Sequence, residues 1–145
     1  MPTRLAYRPG PPVPPLGRDA RGYGRRMTEV PRSVGPYTPI VRAGDWLVVS
    51  GQVGLLDGRM VSGGVAAEVT QSLRNLEVQL ATQGAQLSDV VKTTVFLRHM
   101  SDYAQMNESY IAVFGDHRPA RSAVGIAELP LGALVEVEAW AWVGG

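Results

Sequence analysis

The chain has 145 residues, is 45% hydrophobic, carries a formal net charge of +1 and contains no cysteine. That is enough chain to bury one good core, while disulfides, thiolate nucleophiles and cysteine-ligated metals are excluded. No run approaches the roughly 18 apolar residues that span a bilayer, and no charged-then-apolar leader ends in a cleavage site, so a cytoplasmic protein is expected.

The charge is unevenly spread. Residues 1–26 hold six arginines against the single acid Asp19, together with six of the eleven prolines. Such a segment has too little apolar surface to offset its ordering entropy. Residues 1–30 therefore read as a disordered basic leader, and 31–145 as a single domain. Met27 directly follows the arginines and is a second candidate for the translation start. A basic arm for an acidic partner or RNA is the functional alternative. The rest of the chain holds eight basic and twelve acidic side chains, a balance of −4. That argues against nucleic acid as the ligand of the domain itself.

From residue 35 the pattern becomes regular. Residues 37–42 and 46–53 read as β-rich runs joined by "AGD", a hairpin signal, and "LDGRMVSGG" reads as turn chemistry. Val69, Leu73, Leu76 and Leu80 recur at helical spacing, with Gly84 where a C-cap belongs. "DVVKTTVFLRHM" is β-branched and about as long as a strand. Tyr103, Met106, Tyr110 and Val113 mark a second helix, which Ser101 or Asp102 can begin and Gly115 can end. "ARSAVGIA" and "ALVEVEAWAWV" read as two further strands around the turn "ELPLG". The order ββαβαββ predicts an α+β fold, a sheet with both helices packed on one face.

The last strand tests what covers the other face. Val135, Val137, Ala139, Ala141 and Val143 form one apolar row. Leu134, Glu136, Glu138, Trp140 and Trp142 form the opposite one. Two tryptophans do not suit a solvent face, so this row is expected to pack against another copy of the chain. The two histidines, His99 and His117, have no metal-ligand spacing between them, and His117 and Arg118 read as loop surface.

"VGPYTPIVRAGDWLVVSGQVG", "NLEVQLATQGAQLSDVVKTTVFL", "MNESYIAVFGDHRPARSAV" and "LPLGALVEVEAW" together resemble the reactive intermediate deaminase (Rid, YjgF, endoribonuclease L-PSP) family over about residues 33–143. The resemblance implies a chorismate-mutase-like mixed sheet and a homotrimer with active sites between subunits. It also implies hydrolysis of 2-imino acids and their enamine tautomers to 2-oxo acids and ammonia, with no metal or cofactor. The family's "PARS" arginine falls on Arg121 and the first glutamate of "VEVEA" on Glu136. The "GPY" tyrosine falls on Tyr37, the "VSGQ" serine on Ser50 and the "NE" asparagine on Asn107. Two positions depart from the deaminase pattern: Ala123 and Gly125 stand where a cysteine and a glutamate are common.

The chemistry suits those groups. A guanidinium binds a carboxylate through two parallel charge-assisted hydrogen bonds, so Arg121 is the expected clamp. Hydrolysis needs a water delivered to the imine carbon and a proton moved to the leaving nitrogen, work for a partly buried carboxylate such as Glu136. Tyr37, Ser50 and Asn107 are the expected substrate contacts. Read alone, each has a plainer role: packing beside a Gly-Pro turn, a pocket-wall hydroxyl, a solvated helix position. Ser50 as a nucleophile would need a histidine base that no motif supplies. Two alternatives stand beside the deaminase. One is a pathway-specific imine or enamine hydrolase of the same fold. The other is a non-deaminase member, RNA-cleaving, translation-inhibiting or ligand-binding.

Overall fold

The computed structural model describes residue 30 and residues 32–145. The leader read over 1–30 lies, apart from Val30, outside the described residues. The elements run β1 (Ile40–Ala43), β2 (Trp46–Val53), β3 (Leu55–Leu56), β4 (Arg59–Met60), α1 (Gly64–Ala81), β5 (Val90–Leu97), α2 (Tyr103–Phe114), β6 (Ala120–Gly125) and β7 (Val135–Trp142). The expected ββαβαββ order is present, with one addition. "LDGRMVSGG" forms the small hairpin β3–β4 rather than turn alone. Asp57 and Gly58 both take positive φ, 52° and 76°, the geometry of a tight turn whose twist suits a hairpin.

Five strands form the mixed sheet in the order β1-β2-β7-β5-β6. Only β5 and β6 run parallel, because α2 carries the chain back across the sheet between them. One face is apolar. Leu47 and Val49 of β2, Val95 and Leu97 of β5, and Val135, Val137, Ala139 and Ala141 of β7 join a core with α1 and α2. From α1 come Val69, Leu73, Leu76 and Leu80, each fully buried. Each such side chain contributes roughly 1.5–3 kcal/mol on leaving water. Past Ala81 the backbone closes a Schellman motif: Ala85 N–H donates to Leu80 O at 3.0 Å and Gly84 N–H to Ala81 O at 3.1 Å, with Gly84 at φ 71°. A short 3₁₀ turn over Met100–Asp102 leads into α2. Asp102 is the N-cap residue but makes no side-chain cap bond, while Gly115 ends the helix as expected.

Several strands are shorter than the sequence suggests, among them the one read over 120–127, which ends at Gly125; two late starts have a clear cause. β1 begins at Ile40 rather than 37, because proline at 39 has no N–H to give a ladder. Ser50 instead ties down the preceding segment, its N–H to Pro39 O at 2.9 Å and its Oγ to Thr38 O at 2.7 Å. β7 begins at Val135, and Leu134 leans on the core instead of continuing the tryptophan row. Its N–H donates at 2.7 Å to the buried Glu68 carboxylate of α1, which fixes the strand's entry. No helix among the described residues is long and apolar enough to cross a membrane.

Among the described residues the second sheet face carries no helix. Trp46, Trp140 and Trp142 gather on it, with Trp46 edge-on to Trp140 at 6.1 Å and to Trp142 at 4.9 Å between ring centroids. In a single chain Trp140 remains 46% exposed and Trp142 42%. That is a larger contiguous aromatic surface than a sheet face turned to water ordinarily carries.

Candidate functional site

Arg121 leaves the edge strand β6 on the helix-covered side. Alternation puts Ala123 and Gly125 in the same row, Ala123 against the core and Gly125 beneath Met100. The guanidinium reaches α2. Its Nη2 donates to Asn107 Oδ1 at 2.7 Å and to Tyr103 Oη at 3.2 Å, and its Nη1 lies 3.7 Å from the Met106 sulfur. Its carbon lies 4.8 Å from the Tyr110 ring centroid and 5.7 Å from that of Tyr103. Asn107 thus meets Arg121 directly. Its position, four residues after Tyr103 and three before Tyr110, puts all three on one side of α2. The helical spacing of Tyr103 and Tyr110 reads as core packing, and that spacing alone did not reveal that both also attend the arginine.

Glu136 lies elsewhere. It stands on β7 in the row with Glu138, Trp140 and Trp142, on the face without helices. Between Val49 and Gln52 the register of β2 against β7 slips by one residue, a bulge at Ser50–Gly51. The Glu136 side chain lies over that bulge. A Cβ added at Gly51 would overlap the carboxylate, so only glycine leaves room for it. Burial pushes the Glu136 carboxyl above its ordinary 4.5, and the like charge of Glu138 adds to the rise.

Ser50 belongs to the same bulge, but its hydroxyl is committed to Thr38 O. Gln52 Nε2 donates to Ser50 O at 2.9 Å and braces the bulge. Tyr37 lies ahead of β1, 44% exposed, its hydroxyl within 3.4 Å of Val34 N. The predicted residues therefore divide into two groups within one chain. Arg121 and Asn107 stand at the β6–α2 edge, while Glu136 and Ser50 stand at the β2–β7 bulge, with Tyr37 on the segment that Ser50 anchors. His117 is more than loop surface: its Nε2 lies 2.7 Å from Val90 O and ties the α2–β6 loop to β5. Arg118 donates to the Gly115 and His117 carbonyls of the same loop.

The family model described as Endoribonuclease L-PSP matches residues 27–143. The chain is 43% identical over 119 residues to the 2-iminobutanoate/2-iminopropanoate deaminase of Mus musculus, covering 81% of this chain and 88% of that one. It is 40% identical over 114 residues to a RutC family protein of Pyrococcus horikoshii, covering 77% and 90%. Among solved structures, E. coli TdcF with bound serine is similar at TM-score 0.75 and 32% identity, over 79% of this chain and 94% of that one. The chain belongs to the endoribonuclease L-PSP family, the Rid or YjgF proteins.

Proposed function

We propose that the protein hydrolyses small 2-imino acids, such as 2-iminopropanoate and 2-iminobutanoate, and their enamine tautomers. The products are 2-oxo acids and ammonia. The observation that carries this reading is the braced guanidinium of Arg121, held by Asn107 and Tyr103 beside an aromatic wall. A planar donor fork held this way suits a planar carboxylate. Relatives about 40% identical are named for this activity, and the similar TdcF structure holds serine, a small molecule with a carboxylate.

The complete site would be shared between copies of the chain in a homotrimer. Arg121 and Asn107 come from one copy, and Glu136, Ser50 and Tyr37 from its neighbour. The exposed Trp46/Trp140/Trp142 cluster supports association through the sheet face that carries Glu136.

The mechanism follows from the groups. Arg121 holds the substrate carboxylate. The protonated imine is electrophilic at C2, and a water bonds there while its proton passes to Glu136. Glu136 then returns that proton to the nitrogen. The C2–N bond breaks with its electron pair leaving on ammonia, and the hydroxyl oxygen closes to the carbonyl as its proton goes to the departing ammonia. The raised pKa makes Glu136 a stronger acceptor than an exposed carboxylate at the same pH. The test is a coupled assay in which an amino-acid oxidase generates the imine and semicarbazide traps what remains. The protein should speed the loss of 2-iminopropanoate. Trapping that is unchanged by added protein, across alanine- and aminobutyrate-derived imines, would overturn the reading.

A further inference from the structure

Arg121 leaves β6 directly beside Thr93, its register partner on β5. The fully buried Thr93 hydroxyl lies 2.7 Å from the Tyr110 hydroxyl. The Tyr110 ring is in turn the face over which the Arg121 guanidinium sits, 4.8 Å from the centroid. Phe114, one turn on, packs against that ring with centroids 4.6 Å apart. The ring is thus fixed at its hydroxyl, along one side and by its burial in α2, with one face left for the cation.

We infer that Tyr110 is a positioning residue, its buried ring face pre-aligning Arg121 for the substrate carboxylate, while its bond to Thr93 adds to the stability of the packed ring. The inference rests on Arg121 being the carboxylate clamp. An arginine side chain free in solvent loses rotamer freedom when it binds, and one held over a ring has lost it beforehand. A ring withdrawn from water also attracts a cation more strongly than an exposed ring. Asn107 holds one guanidinium nitrogen, and the Tyr110 ring face lies 4.8 Å from the guanidinium carbon. Burial raises the Tyr110 hydroxyl pKa despite Thr93 and the nearby arginines, so the phenol stays neutral and the ring holds Arg121 by its π face.

The experiment compares Tyr110→Phe, Tyr110→Leu and Tyr110→Met with the full-length protein. Pyruvate binding is followed by calorimetry well below each melting temperature, and KM and kcat are measured with 2-iminopropanoate. Tyr110→Phe keeps the π face and loses the Thr93 bond, so its melting temperature should fall while pyruvate affinity stays within about threefold of wild type. Tyr110→Leu should weaken pyruvate binding about tenfold and raise KM more than it lowers kcat. Tyr110→Met, unbranched and without a π face, should show the same loss and replaces the leucine variant if that does not fold. Wild-type affinity in folded Leu or Met variants would reduce Tyr110 to a packing residue and overturn the inference while leaving the clamp standing. Arg121→Ala that binds pyruvate as wild type does would instead overturn the clamp, and the inference with it.

Discussion

Arg121 and Glu136 stand on opposite faces of one sheet. Arg121 is in register with Thr93 and Thr93 with Ala139, all on the helix-covered side. Glu136 is in register with Phe96, in the alternate row and three residues further along β5. That is about 10 Å along the strand and two strand spacings across, before the sheet itself is counted. No three-carbon acid bridges the two groups within one chain. A site that uses both needs a second copy.

Replacing Arg121, the proposed clamp, should be decisive. Arg121→Ala should lower kcat/KM for 2-iminopropanoate by roughly 10²- to 10⁴-fold, since two charge-assisted bonds disappear. Circular dichroism should be unchanged, because Arg121 lies at the edge strand. Arg121→Lys should recover less than about a tenth of the activity, because an ammonium offers no planar fork. Equal rates for wild type and Arg121→Ala in the trapping assay would put the clamp elsewhere.

Glu136→Gln keeps the side chain's shape and removes its proton chemistry. Turnover should fall by roughly 10²- to 10⁴-fold, while pyruvate still binds through Arg121. Stability should move the opposite way. The native carboxyl pKa is raised above 4.5, so its contribution to folding is fully present below that pH and is lost as pH rises through the native value. The variant should therefore melt above wild type at pH 7, and the gap should close below pH 4.5. A gap that widens in acid would contradict the assigned environment of Glu136.

Gly51 is the quiet partner of Glu136. Gly51→Ala puts a methyl where the carboxylate lies, so the carboxylate must move, at a cost of about 1–3 kcal/mol in stability. Turnover should fall by at least about tenfold, while pyruvate affinity changes little. Unchanged turnover would show that the position of Glu136 over the bulge is immaterial.

The tryptophan face should govern assembly. Trp140→Asp puts a charge into the exposed aromatic cluster, and light scattering should report a monomer where wild type gives roughly three times 15.6 kDa. A wild-type monomer at micromolar concentration, or a Trp140→Asp trimer, would contradict assembly through this face.

Most of the fold was legible because long elements repeat their signal. Val69, Leu73, Leu76 and Leu80 declare one face of α1, and the alternation from Val135 to Trp142 declares both faces of β7. The β3–β4 hairpin was not, since two-residue strands carry no period. The site was legible only in part. Arg121 and Glu136 stand in recognisable segments, but their opposite faces follow from the register of three strands, which no local pattern encodes. The ties from Arg121 to Tyr103, Asn107 and Tyr110 span eleven to eighteen residues. They depend on α2 crossing the sheet beside β6. Gly51 looked like any strand glycine until the bulge set Glu136 above it.

The central claim, one site from two copies, is tested most directly by mixing two inactive proteins. Arg121→Ala and Glu136→Gln are unfolded together in equal amounts, refolded, and assayed for loss of 2-iminopropanoate. In randomly mixed trimers about a quarter of the sites pair an intact Arg121 with an intact Glu136 from the neighbour, so about a quarter of wild-type activity should return. If both residues served one site within a chain, every site would lack one of them. Refolded mixtures, confirmed as trimers, with no more activity than the separate variants would contradict the account.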